Sequence, residues 1–206
     1  MTGDSEHREI DAFDGSLRQP DQRSCGAAVL VLARMLLDDA YADLVVAGVH
    51  PSTGQRSAGD LSQRFAAEVL GMHRRVTGPM DASGRLQLPW PRALGTPPWA
   101  VARQLSATAG SHLPPTRYSV TPIGRRARDV FDRILEATES GRPVPLFVGN
   151  RLLPRHVVLA LGSASGRLRC YDPATGRVVP LDRTAFIERR LGLSGWDRPW
   201  LAVLPH

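Results

Sequence analysis

From Cys25 to Leu37 the chain reads CGAAVLVLARMLL, apolar at nearly every position and without a breaker after Gly26. An apolar run of helical length with no polar stripe predicts a helix buried through the middle of a domain. The residues just ahead of it, 18–24, read RQPDQRS and are polar turn-formers. The helix is therefore expected to start at Ser24-Cys25-Gly26, with the Ser24 hydroxyl as its cap and Cys25 in its first turn. It should end near Asp38-Asp39. Residues 41–49 read either as a short second helix or as a turn of helix followed by strand, and periodicity does not separate the two. Asp60 is placed to cap a further helix with Leu61, Phe65, Val69 and Met72 on one face.

Residues 77–98 break this grammar. They hold five prolines and three glycines, and Leu86, Leu88 and Trp90 alternate like a short edge strand. Pro97-Pro98-Trp99 then opens a helix, proline being favoured at its first position, and the helix should run to about Ala109. Residues 118–121 read as a strand. Residues 125–140 form an amphipathic helix with Val130, Ile134 and Leu135 inward and Gly141 closing it. From Pro143 onward short β-branched runs alternate with turn-formers over 143–149, 155–162, 166–171 and 177–180. A helix over 183–191 and a strand over 200–204 finish the chain. Helices first and an antiparallel sheet afterwards make the class α+β. The expected organisation is a loose polar arm over 1–14, one domain over 15–206, and an insertion over 77–98.

Charge changes this picture little. The net charge is +6, yet all 26 basic residues are arginine and they are scattered. With abundant Ala, Gly and Pro, that pattern reads as genome composition and not as a phosphate-binding face, so no nucleic-acid partner is expected. No apolar run reaches the length of a membrane span and the acidic N-terminus has no secretory character, so no membrane is expected either. Two cysteines make no disulfide framework. His50, His73 and His112 lack ligand spacing, so neither a metal nor another cofactor is expected. No serine stands in the G-x-S-x-G context of a serine hydrolase.

The candidate chemistry lies at the start of the buried helix and in the distant hairpin. At a helix N-terminus the unpaired N–H groups and the dipole favour an anion, the form in which a thiol attacks a carbonyl carbon. Gln19, six residues before Cys25, offers a side-chain amide donor. His156 opens HVVLALG and Asp172 follows sixteen residues later in CYDPATG. If Gly162 opposes Gly166 across a three-residue loop, His156 lies directly opposite Asp172, with Cβ atoms roughly 4.5–5.5 Å apart. One imidazole nitrogen would then meet the carboxylate and leave the other for the thiol. The same alternation sets Val158 and Cys170 one layer further in. Taken singly, His156 also reads as a strand-end histidine and Asp172 as an Asp-Pro turn-former. Trp90 and Trp99 flank the 77–98 segment, either as substrate-groove residues or as pins that hold the loop to the domain.

Gln-x5-Cys-Gly entering a long apolar helix, followed far downstream by His-Val-Val-Leu, a hairpin and Tyr-Asp-Pro-x-x-Gly, resembles the bacteriocin-leader-processing (double-glycine leader) branch of the papain-like cysteine peptidases. The resemblance spans residues 18–37 and 155–180. It implies a papain-like fold, with Cys25 as nucleophile, His156 as general base and then acid, and Asp172 as the residue that orients His156. Gln19 and the Cys25 amide would be the oxyanion donors. The chain departs from the branch at Ser24, where an acidic residue is usual, and in the length of the 77–98 segment. The implied activity is cleavage of a peptide or isopeptide bond in a protein or peptide substrate. Acyl transfer, glutamine deamidation and a catalytically silent binding module are the alternatives. A bacterial processing enzyme of the cytoplasm, or an effector exported without a cleaved signal, is the expected setting.

Overall fold

The computed structural model describes residues 15–108 and 113–206. The expected arm over 1–14, His112 and the far end of the helix predicted to reach Ala109 lie outside the described residues. The buried run forms helix α1 (Cys25–Leu37), and every residue from Cys25 to Ala33 is buried. The ambiguous stretch after it is helical, α2 (Asp39–Val46), because the Asp38 side chain caps it by accepting from the Tyr41 N–H. Helix α3 (Leu61–Thr77) opens with a full capping box between Asp60 and Gln63. It buries Phe65, Val69 and Met72, each contributing about 1.5–3 kcal/mol on leaving water. Helix α4 (Pro98–Ala107) starts at a proline, where the missing N–H costs nothing.

Six strands form one antiparallel sheet: β1 (Tyr118–Pro122), β2 (Val144–Gly149), β3 (Pro154–Ala164), β4 (Arg167–Asp172), β5 (Arg177–Leu181) and β6 (Arg198–Pro205). Their order is β1-β6-β2-β3-β4-β5. The fold is therefore helices combined with an antiparallel sheet. The helices are not all on one side. Helices α1 to α4 cover one face, packing on Phe147, Val157, Leu159, Tyr171 and Val203. Helices α5 (Ala127–Glu139) and α6 (Arg183–Ile187) cover the other, packing on Leu146, Val148, Val158 and Cys170. Among the described residues no helix is long and apolar enough to cross a membrane.

Two expectations are corrected here. Residues 86–90 are not an edge strand. A single bridge joins Met80 and Leu86, and Leu86 and Leu88 point outward with 81% and 70% of their surface exposed. The inward side chain is the polar one between them. Buried Gln87 donates through Nε2 toward the carbonyls of Arg75 (3.2 Å), Gly78 (3.0 Å) and Met80 (3.3 Å). Alternation failed because the end of α3 leaves carbonyls that need a donor, and the segment finds its partner there instead of in a strand.

The second correction concerns the hairpin between β3 and β4. Its loop has two residues, Ser165 (φ 50°) and Gly166 (φ 77°), between the paired Ala164 and Arg167. Continued inward, that turn would place His156 and Asp172 on opposite faces of the sheet. A bulge at Leu161, between the pairs Ala160–Cys170 and Gly162–Arg169, shifts the register by one and restores the parity. Leu159 then faces Tyr171, so Asp172 comes level with Val158, and His156 reaches it diagonally instead of directly across.

Candidate active site

The site gathers at one end of the sheet, where α1 begins. Tyr171 donates its hydroxyl hydrogen to the Leu17 carbonyl, and the Gln19 N–H donates to the Pro173 carbonyl at 2.8 Å. These bonds tie the segment ahead of α1 to the end of β4, which carries Asp172. Cys25 is thereby held beside the hairpin although 131 residues separate it from His156.

Ser24 does not cap α1 through its side chain. Its hydroxyl donates to the Asp21 carbonyl at 3.3 Å, and the helix start carries no side-chain cap. The first-turn N–H groups, that of Cys25 among them, are thus not taken up by a capping side chain. Gly26 behind the cysteine is required by space. A Cβ there would lie 2.7 Å from the Thr96 Cβ, so the end of the 77–98 segment packs directly on the start of α1.

Cys25, His156 and Asp172 come together, and all three are buried. His156 Nε2 lies 2.7 Å from Asp172 Oδ1, and the Cys25 thiol makes a side-chain hydrogen bond with the same ring. With Nε2 engaged by the carboxylate, Nδ1 is the nitrogen left for sulfur. Burial alone would push the His156 pKa down. The hydrogen bonds to Asp172 and Cys25 and the charges of both outweigh it, and the pKa is raised from 6.5 to about 9. The ring is an imidazolium at neutral pH. Burial likewise works to raise the Asp172 pKa. The bonds from His156, Ser194 and the Ala174 N–H (3.0 Å) and the imidazolium charge overcome it and hold the carboxyl below its ordinary value.

Cys170 is a different thiol. It lies wholly buried in the cluster beneath α5 and α6, and its pKa is pushed up to about 12, chiefly by burial and then by the Asp172 charge. Gln19 stands beside the Asp172 turn, with Nε2 donating to the Asp21 carbonyl at 2.7 Å and Oε1 buried without a partner. That bond uses one of the two amide hydrogens. Trp90 and Trp99 meet each other edge-to-face, ring centroids 5.0 Å apart, and Trp99 packs on the core of the α1 face. They pin the base of the 77–98 segment, while its Thr96 end packs on Gly26, the residue after Cys25. One site residue had no sequence signal. Ser194 donates its hydroxyl hydrogen to Asp172 Oδ2 from a turn 22 residues downstream, and no motif marked that serine.

No known family model matches the chain, and no curated protein matches it. Among solved structures it is similar to the crystal structure of the peptidase domain of Streptococcus ComA, a bi-functional ABC transporter involved in a quorum-sensing pathway. The identity is 15%, the match covers 92% of this chain and 96% of that domain, and the TM-score is 0.40. A likeness that distant carries no argument about activity, which rests on the geometry above.

Proposed function

We propose that this chain is a papain-like cysteine peptidase that cleaves peptide or isopeptide bonds with Cys25, His156 and Asp172. The observation that carries the reading is the placement of His156. It is buried, bonded by Asp172 on Nε2 and sharing the same ring with the Cys25 thiol, at a helix start whose N–H groups no side chain caps. A histidine satisfied only for structural reasons needs no sulfur partner.

The reaction follows from those positions. Cys25 Sγ attacks the carbonyl carbon, forming the C–S bond while the carbonyl π pair moves onto oxygen. The resulting oxyanion accepts from the Cys25 N–H and from the second amide hydrogen of Gln19. Collapse breaks the C–N bond, and His156 Nδ1–H protonates the leaving amine. Water then attacks the thioester, giving its proton to Nδ1, and the carboxylic acid leaves as sulfur departs. Asp172 keeps the ring oriented and balances the imidazolium throughout. No step calls on a cofactor. The 77–98 segment, whose Thr96 end packs on Gly26 beside the nucleophile, forms one wall of the substrate groove, with Trp90 and Trp99 fixing its base.

The test is digestion of a pool of unstructured peptides in oxygen-18 water, read by mass spectrometry, with Cys25→Ser alongside. New C-termini carrying one heavy oxygen, lost in the Cys25→Ser protein, are expected. Cys25-dependent transfer of the acyl group to an added amine, or conversion of Gln to Glu without chain cleavage, would replace the peptidase reading with acyl transfer or deamidation. Absence of any Cys25-dependent product would reject catalysis.

A further inference from the structure

We infer that Ser194 is a positioning residue that holds the second oxygen of Asp172, and with it the orientation of His156. This rests on the peptidase reading. The two oxygens of the Asp172 carboxylate are served unequally. Oδ1 accepts from His156 Nε2 at 2.7 Å and from the Ala174 N–H at 3.0 Å, whereas Oδ2 takes its hydrogen bond from Ser194 Oγ. Asp172 is 2% exposed. Without the hydroxyl, one oxygen of a buried anion loses its donor, and rotation of the carboxylate would draw Oδ1 away from the imidazole.

The serine is delivered by a built element. Leu193 and Trp196 exchange backbone hydrogen bonds (Trp196 N–H to the Leu193 carbonyl 2.8 Å, the reverse 3.1 Å), closing a two-residue turn with Ser194 at φ 47° and Gly195 at φ 82°. Leu193 is buried in the core beneath α5 and α6, and Trp196 packs against it. The turn is thereby anchored on both sides while its tip reaches the site. Positive φ at both central positions is the geometry that Asn-Gly adopts most readily.

The chain holds its own control. Ser165-Gly166 forms the same kind of turn between β3 and β4, with φ 50° and 77°. Ser165 is exposed and makes no side-chain hydrogen bond among the described residues. Serine at that turn position therefore needs no carboxylate partner, and the two turns separate the effect of backbone from that of hydroxyl.

Titratable groups lie around Asp172 on several elements. His156 lies on β3 with Cys25 behind it, Cys170 and Tyr171 precede it on β4, and Arg177 stands opposite it on β5. The Cys170 and Tyr171 pKa values are both raised, first by burial, so neither titrates in acid. A carboxyl held below its ordinary value loses its contribution as pH falls through the lowered value. Removing the hydroxyl moves that loss to higher pH.

The experiment measures the rate of Cys25 alkylation by iodoacetamide from pH 2 to 8 in the wild-type chain, Ser194→Ala, Ser194→Gly and Ser165→Gly. In both Ser194 variants the acid midpoint is expected to rise by about one pH unit and the plateau rate to fall about three- to tenfold, while Ser165→Gly follows the wild type. Glycine is the easier residue in this turn, so Ser194→Gly should keep the turn formed while losing the site effect. Ser194→Gly and Ser165→Gly profiles that both match the wild type would overturn the inference. Failure of the peptidase reading looks different, because wild-type Cys25 would then itself react slowly. In that case the hydroxyl is tested by acid unfolding. Ser194→Gly should unfold at higher pH than the wild type if Ser194 holds Asp172, and an unchanged acid midpoint rejects it.

Discussion

Replacing His156 with alanine lowers kcat/KM for peptide cleavage by about four orders of magnitude, the loss expected when one member of a concerted nucleophile–base pair is removed. Two functions vanish together. The thiol loses the ring that takes its proton, and the leaving amine loses its acid. Gln19 and the Cys25 N–H remain, so residual turnover should persist above the uncatalysed rate, as oxyanion stabilisation operates without the base. The buried Asp172 keeps Ser194 and the Ala174 N–H as donors, which should let the variant fold. Circular dichroism and the thermal midpoint check the fold, and peptide turnover checks the rate. A fall of less than about tenfold would mean that His156 is not the acid–base group.

The second large effect is expected at Asp172, and it reports stability as well as rate. Asp172→Ala removes the anion beside a buried imidazolium and leaves Ser194 Oγ and the Ala174 N–H without their acceptor. Breaking one side of a buried pair in this way costs about 3–5 kcal/mol. The more conservative Asp172→Asn isolates the charge. His156 stabilises the fold through a pKa raised from 6.5 to about 9, so that contribution is full below pH 6.5 and is lost as pH rises through 9. Asp172, lowered from 3.8, contributes above pH 3.8 and loses that contribution as pH falls through its folded value. The stability gap between wild type and Asp172→Asn should therefore be widest between pH 3.8 and 6.5 and narrow on either side. The alkaline limb of kcat/KM should move down from about 9. Denaturant melts across pH supply the first measurement and rate profiles the second. A gap independent of pH would show that the two groups do not titrate as a pair.

The sequence carried much of this arrangement, and its failures have physical causes. The extent of α1 was legible because an unbroken apolar run can only be buried, and α3 because Asp60 and Gln63 form a capping box at its start. The strands after Pro143 were legible from β-branched runs between turn-formers. The pairing of His156 with Asp172 was approached by parity, but the detail was not readable. A two-residue turn and a bulge at Leu161 jointly set the register, and nothing in the residues of β3 announces a bulge. At residues 86–88 the apolar alternation pointed the wrong way, since Gln87 answers carbonyls whose positions exist only once α3 is folded. Ser24 reads as a cap, but its hydroxyl donates back to the Asp21 carbonyl and accepts from no first-turn N–H. Ser194 depends on a turn that meets Asp172 only in three dimensions.

The central claim is that this fold activates one of its two cysteines. Brief exposure of the native chain to iodoacetamide at pH 6, followed by peptide mapping, tests it most directly. Cys25, bonded to His156 at the start of α1, should label at least about a hundredfold faster than wholly buried Cys170, whose pKa is about 12. In the His156→Ala protein Cys25 should fall back to the rate of an ordinary thiol. Slow and equal labelling of both cysteines in the wild-type chain would contradict the account.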